Sequence, residues 1–119
     1  MRQQGANTYG LDLSWPISQG LLLWPDLQPY LIVADARTWL ASGDRVRNEY
    51  DAVISRGFLD CQTDADLATM IPRINFICKS VQIHAVDTNN NAEYYNQKTL
   101  AQWQALGFEA GTIIVDEAN

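Results

Sequence analysis

The sequence predicts an α/β or α+β fold, in which a mixed sheet of three to five strands carries helices. Short apolar runs rich in β-branched residues are typical of strands, and they occur at residues 30–34, 81–86 and 112–115. Apolar residues at helical spacing predict helices near residues 36–56, 64–71 and 92–106. Strands that alternate with helices favour parallel pairing. The length of 119 residues predicts a single domain over residues 1–119, with 1–12 as a loose N-terminal arm or edge segment.

Composition and charge exclude several functional classes. The chain is 47% hydrophobic and 18% charged, which is typical of a folded globular protein. It has 14 acidic and 8 basic residues, a net charge of −6, so binding of nucleic acid over its whole surface is not expected. No apolar run is long enough for a membrane helix, and the N-terminus lacks the apolar core of a signal peptide. We therefore expect a cytoplasmic protein without nucleic-acid or membrane partners.

Two cysteines, Cys61 and Cys78, are too few and too far apart for a zinc motif, even with His84 as a third ligand. Free thiols are the expectation, and a disulfide is the alternative.

Two tryptophan–proline pairs occur in an imperfect nine-residue repeat that covers residues 13–30. The prolines predict an extended, turned segment, because proline disfavours a helix and restricts the residue before it. Trp15 and Trp24 each precede a proline. Either both indole rings cover the core, or at least one is exposed and anchors a partner, since tryptophan is enriched in interface hot spots.

The run at residues 30–34 is continuous rather than alternating, which predicts a strand covered on both faces. Asp35 follows it and can cap a short helix that ends before Gly43. Apolar residues then recur at helical spacing from Arg45 to Arg56, which predicts a second helix, closed by Gly57.

Residues 72–79 admit two interpretations. Pro72 predicts the end of the helix that begins near residue 64, with a strand of alternating residues after it. The apolar residues up to Cys78 also fit a single helical face, so the period alone leaves both open. In the following strand, Gln82 and His84 share one face, which we expect to be partly solvated.

The segment from Val81 to Val115 predicts a strand–helix–strand crossover, right-handed if the two strands are parallel. Asn90 and Glu93 have the spacing of a capping box for its helix, and Gly107 is placed to end it. The run at 112–115 is expected to be a buried strand.

Three predicted strands are followed by aspartates, at Asp35, Asp87 and Asp116. If the strands are parallel neighbours, the three carboxylates emerge at one edge of the sheet, where α/β folds bind ligands. Converging carboxylates can hold Mg²⁺ or Mn²⁺ and activate water for phosphate-ester hydrolysis. The simpler interpretation is that Asp35 caps a helix and Asp87 lies in a turn. If the sheet is antiparallel instead, the three side chains are separated and no metal site forms.

Two functional hypotheses follow. The first is a small acidic, non-catalytic binding module, such as an adaptor, inhibitor or assembly protein, that binds a protein partner through Trp15 or Trp24. The partner is another protein or a second copy of the chain, and the binding module needs no cofactor. It rests on the small size, the acidity and the absence of motifs such as GxSxG, GxxxxGK[ST] and GxGxxG. The alternative is a Mg²⁺- or Mn²⁺-dependent phosphate-ester hydrolase with Asp35, Asp87 and Asp116 as metal ligands.

Overall fold

The computed structural model describes residues 8–12, 14–89, 93 and 95–117. It confirms the α/β fold class, with helices and two parallel sheets of two and three strands. The strands are β1 (Gly10–Asp12), β2 (Leu31–Val33), β3 (Tyr50–Arg56), β4 (Cys78–Val86) and β5 (Ile113–Asp116). The α-helices are α1 (Ser14–Leu23), α2 (Ala36–Ala41), α3 (Asp64–Ile77) and α4 (Leu100–Gln104), and short 3₁₀ helices cover Pro25–Tyr30 and Leu59–Cys61. By its internal contacts the chain divides into two units, Met1–Trp39 and Leu40–Asn119.

The first unit contains a parallel pair of three-residue strands, in which β1 lies beside β2. The predicted extended geometry of residues 13–30 is wrong for most of the segment, because α1 and the 3₁₀ helix Pro25–Tyr30 occupy it. Proline is tolerated in both places. Pro16 lies in the first turn of α1, where backbone N–H groups have no helical partner, and Pro25 is the first residue of the 3₁₀ helix.

The second unit is built on a parallel sheet in the order β3-β4-β5. The register sets Ile54, Ile83 and Ile113 side by side across the three strands. The predicted crossover therefore joins two parallel strands, β4 and β5, and this part of the prediction is confirmed.

The buried core lies in the second unit as far as the described residues show. Its apolar members are Leu40, Leu59, Leu67, Met70, Ile71, Ile74, Ile77, Cys78, Val86 and Trp103. Five of them lie on one stripe of α3, so this helix covers one face of the sheet with the spacing expected of an amphipathic helix. Both cysteines are free thiols, Cys61 exposed and Cys78 buried.

The predicted helix over residues 45–56 is wrong, because residues 50–56 form strand β3. Asn48 takes a left-handed backbone conformation (φ 57°), which interrupts any helix before the strand. The apolar residues from Tyr50 onward fit the helical period as well as the strand period, and pairing with β4 stabilises the strand. Gly57 does adopt the predicted left-handed conformation (φ 62°), but it ends a strand rather than a helix. The short helix after Asp35 is confirmed as α2.

Helix α3 continues past Pro72 to Ile77, so the interpretation of a single helical face is confirmed and the predicted helix end at residue 71 is wrong. Strand β4 begins directly at Cys78. The Thr63 hydroxyl caps its start by accepting from the Asp66 N–H. Pro72 is exposed, whereas Ile71, Ile74 and Ile77 are buried. Burial of the apolar stripe on both sides of the proline outweighs the loss of one backbone hydrogen bond.

The predicted helix over residues 92–106 is shorter in the described part of the chain, where only Leu100–Gln104 is helical. The proposed cap at Asn90 lies outside the described residues. Residues before α4 are held by long-range contacts instead: the Asn96 side chain donates to the Gln62 carbonyl and to Asp64, and Lys98 pairs with Asp64 at 2.7 Å. Thr99 then starts α4 with a complete capping box.

The two faces of the second sheet are reversed with respect to the prediction. Gln82 and His84, expected to be partly solvated, are buried, whereas Ile54 is 53% and Ile113 is 51% exposed on the opposite face. Val33 and Val115 are also exposed, so the predicted full burial of β2 and β5 is wrong. Polar side chains remain on the buried face because each finds a hydrogen-bond partner there, as described below.

Candidate functional site

Among the described residues of the first unit, the most exposed apolar segment is Leu22–Trp24, here called the Leu22–Trp24 patch. The exposed fractions are 77% for Leu22, 70% for Leu23 and 57% for Trp24. Scattered single apolar residues on a surface are ordinary, whereas three consecutive ones that include a tryptophan are typical of a contact site.

Local backbone chemistry places the patch at a helix end. The Trp24 N–H donates to the Gly20 carbonyl at 2.9 Å and completes the last turn of α1. Trp24 itself has φ −134° and ψ 71°, because Pro25 follows and disfavours helical geometry at the preceding residue. The indole is therefore carried on a non-helical junction between two helices, and its backbone angles do not match the predicted extended geometry either. The backbone of Trp15 lies in α1, and its side chain is outside the described residues.

The segment that contains the patch carries little charge. Between residues 13 and 34 the sequence contains one charged residue, Asp26, and its side chain is exposed. The exposed Val33 on β2 adds apolar surface in the same unit. Sequence reasoning selected Trp24 but did not select Leu22 or Leu23.

Asp35 acts as a helix cap. Its carboxylate accepts from the Arg37 N–H at 2.9 Å and pairs with the Arg37 guanidinium at 2.8 Å. The side-chain hydrogen bond from Arg37 lowers the pKa of Asp35 to about 2. Asp35 belongs to the first unit, whereas Asp87 and Asp116 belong to the second.

Asp87 and Asp116 lie at the carboxyl ends of β4 and β5, as predicted for parallel neighbours. Both carboxylates accept hydrogen bonds from the turn that follows β4. Asp87 accepts from the Asn89 N–H at 2.9 Å, and Asp116 accepts from the Thr88 hydroxyl at 2.7 Å. Among the described residues, no group of three or more His, Cys, Asp or Glu side chains is arranged to hold a metal ion. The predicted metal site at Asp35, Asp87 and Asp116 finds no such group to support it in the described part of the chain and stays a prediction.

Asp60 is a buried carboxylate that no sequence pattern indicated. It is 1% exposed, and its Oδ2 accepts from the Asp87 N–H at 2.9 Å. Its Oδ1 has no hydrogen-bond partner within the part of the chain that the structure describes. The contact fixes the turn that follows β4, so Asp60 has a clear structural role.

His84 belongs to a chain of hydrogen bonds that runs from Ser55 to Gly107. The bond at the Gly107 end determines which atom donates in each of the others. Asn75 Nδ2 donates to the Gly107 carbonyl at 3.0 Å, so Asn75 Oδ1 faces the Gln82 amide and accepts from it at 2.8 Å. The Gln82 Oε1 must then accept from His84 Nε2, 3.0 Å away. The remaining ring nitrogen, Nδ1, is left to accept from the Ser55 hydroxyl at 2.7 Å. The imidazole is thus a neutral Nε2–H tautomer.

Burial lowers the pKa of His84 to about 4. Its ring is fully buried and lies 5.0 Å from the Phe108 ring. Both ring nitrogens of His84 are therefore engaged on the buried face of the sheet. The alternation of Gln82 and His84 on one face was the available sequence signal, but the partners Ser55 and Asn75 come from other elements and carry no local signature.

Searches for similar proteins found no matching family model, no matching curated protein and no matching solved structure. No helix in the described part of the chain has the length and apolar character needed to cross a membrane.

Proposed function

We propose that the protein is a small acidic binding module that acts through protein–protein contacts, with the Leu22–Trp24 patch as its contact site. The observation that carries the proposal is the exposure of three consecutive large apolar side chains, one of them a tryptophan more than half exposed. A buried aromatic anchor surrounded by apolar contacts is the usual centre of a protein interface.

The chemistry of the patch favours a protein over a charged ligand. A phosphate or nucleic-acid site needs cationic side chains or free backbone N–H groups. The segment from residue 13 to 34 has no Lys, Arg or His. The partner that fits is a protein with an apolar cleft able to admit an indole ring. The hydrolase alternative has less support, because the Asp35 carboxylate is paired with Arg37, and those of Asp87 and Asp116 accept from the turn after β4.

The test is a comparison of Trp24→Ala with the unaltered chain as bait in a lysate of the source organism, followed by titration of a purified partner. We expect Trp24→Ala to weaken the complex by about 2 kcal/mol or more, as loss of a hot-spot aromatic does. The measurement is the dissociation constant by isothermal titration calorimetry.

Val46→Ala is the matched control, because Val46 is 56% exposed but lies in the second unit, outside the patch. It should leave the affinity unchanged. Equal affinities for Trp24→Ala and the unaltered chain would remove the patch from the interface and the main support for this function.

A further inference from the structure

The hydrogen-bond chain through His84 places a nucleophile beside a base. The Ser55 hydroxyl donates to Nδ1 of the imidazole at 2.7 Å, and Nε2 on the other side of the ring donates to Gln82 Oε1 at 3.0 Å. A serine and a histidine at this distance, with the histidine oriented by a third group, form the arrangement that enzymes use to activate a hydroxyl. These side chains belong to the second unit and are independent of the Leu22–Trp24 patch.

The imidazole is held in the tautomer that proton transfer from Ser55 requires. Its Nδ1 carries no hydrogen, so it can take the hydroxyl proton as the serine oxygen attacks. Gln82 is fixed in turn by Asn75, whose side chain donates to the Gly107 carbonyl. The base therefore needs no rotation before the reaction, because its hydrogen bonds already place it.

Ser55 is the accessible member of the pair. It lies on β3, an edge strand of the three-stranded sheet, and is partly exposed. His84 lies on the central strand β4 and is fully buried. Among the residues that the structure describes, no strand pairs with the outer side of β3. A small reactant therefore approaches the hydroxyl from the open side of the sheet, while the base stays shielded from water.

The backbone beside Ser55 supplies a hydrogen-bond donor for an oxyanion. The Gly57 N–H donates to the Ala85 carbonyl at 3.1 Å, so Gly57 faces β4. Successive residues of a strand face opposite sides, so the N–H of Arg56 points to the outer edge. Arg56 directly follows the serine, and the N–H of the residue after a nucleophile is an oxyanion donor in many hydrolases.

We infer that Ser55 is a nucleophile for acyl transfer from a small carboxylic ester, with His84 as its general base and Gln82 as the residue that positions the base. The serine oxygen bonds to the carbonyl carbon, its proton moves to Nδ1, and the oxyanion accepts from the Arg56 N–H. The bond from carbon to the alcohol oxygen then breaks, and the alcohol leaves with the proton from Nδ1. A water molecule, deprotonated by the same nitrogen, releases the acid and restores the serine.

The environment of His84 selects an ester rather than an amide. Burial disfavours the imidazolium and lowers the pKa of His84 to about 4. Gln82 offers this cation a hydrogen-bond acceptor but no negative charge, unlike the carboxylate of a Ser-His-Asp triad. A base that gains a proton at such a cost supports attack only on a reactive carbonyl, and an ester carbonyl is more electrophilic than an amide carbonyl.

Phosphonylation by an alkyl fluorophosphonate tests the activation of Ser55 in the unaltered chain, because the reaction forms a bond from the serine oxygen to phosphorus and expels fluoride. Peptide mass spectrometry locates the label. Ser80 is the control within the same molecule, since it is exposed on β4 and the single histidine of the chain is bonded to Ser55 instead. We expect Ser55 to react about a hundredfold faster than Ser80, since general-base catalysis contributes roughly 10²–10⁴-fold.

Three results of this labelling would overturn the inference. They are the absence of label on Ser55, equal rates at Ser55 and Ser80, and labelling of Ser55 that is faster in urea than in the folded chain. The last result would show that the reactive hydroxyl belongs to the unfolded chain and that the fold does not activate it.

Turnover of p-nitrophenyl acetate tests the ester substrate. Ser55→Ala should lower the rate of nitrophenol release by about tenfold or more, whereas Ser80→Ala should leave it unchanged. Both variants keep the exposed thiol of Cys61, so its own reaction with the ester contributes equally to each. Amide NMR spectra establish that both variants are folded. Equal rates for the two folded variants would assign the hydrolysis to other groups and contradict the role of Ser55.

Discussion

The imidazole of His84 is held in one tautomer by side chains from three elements, β3, β4 and α3. A sequence reveals that such a residue is polar and sits on a strand, but it does not reveal its partners. Ser55 is 29 positions away, and Asn75 reaches the histidine only through Gln82. The sequence-based expectation of a solvated face failed because burial of polar groups is decided by long-range hydrogen bonds.

At the residue scale, the neutral state of His84 predicts a loss of stability in acid. The folded-state pKa of about 4 lies below the ordinary value of 6.5, so between these pH values the unfolded chain binds the extra proton. Stability should be full above pH 6.5 and fall as the pH drops toward 4, by up to about 3 kcal/mol. Urea unfolding at a series of pH values measures this.

The chain has a single histidine, so the control for this prediction is unambiguous. His84→Gln should unfold more easily at pH 7, because the hydrogen-bond chain is disturbed, but its stability should vary less between pH 6.5 and 4. A variant whose stability falls as steeply as that of the unaltered chain would assign the acid sensitivity to carboxylates instead.

At the scale of the elements, sequence patterns predicted the type of most helices and strands correctly where the apolar run was long or a helix cap supported it. β4, α2, the first two turns of α3 and the parallel partner of β4 were predictable from apolar runs and caps. Residues 50–56 were not, because Tyr50, Val53 and Ile54 fit a helical period as well as a strand. Contact with β4 settles their structure, and that contact is not encoded locally.

Helix α3 carries its proline at an exposed position in its middle, which yields a prediction about stability. Pro72→Ala should raise the free energy of unfolding by about 1–3 kcal/mol, since proline in a helix interior is about 3 kcal/mol less favourable than alanine. Chemical denaturation monitored by circular dichroism measures the change.

Thr69→Ala, one turn earlier on the same helix and also exposed, is the control and should change stability by about 0.5 kcal/mol or less. An unaltered or reduced stability of Pro72→Ala would mean that the helix is bent at this point in a way that its packing requires.

At the scale of the whole molecule, the described apolar core belongs to residues 40–119. We expect a fragment of residues 35–119, which keeps the Asp35 cap of α2, to retain the β3-β4-β5 sheet. Amide NMR spectra of the fragment and the full chain should superimpose for residues 64–86. Random-coil shifts in the fragment would show that the first 34 residues are needed, and would support the prediction that residues 1–119 form a single cooperative domain.

The hydrogen bonds from Ser55 to Gly107 all point the same way, so they behave as a row of aligned dipoles with the proton-donating end at Ser55. Reversal of one member requires reversal of its neighbours, and the Asn75 and Gln82 amides are each held at both ends. A hydroxyl hydrogen can rotate freely about its C–O bond. When His84 takes up a second proton, the Ser55 hydroxyl must therefore turn its hydrogen away from the ring. The edge strand β3, which carries Ser55, is the first element whose hydrogen bonds change when the interior is acidified.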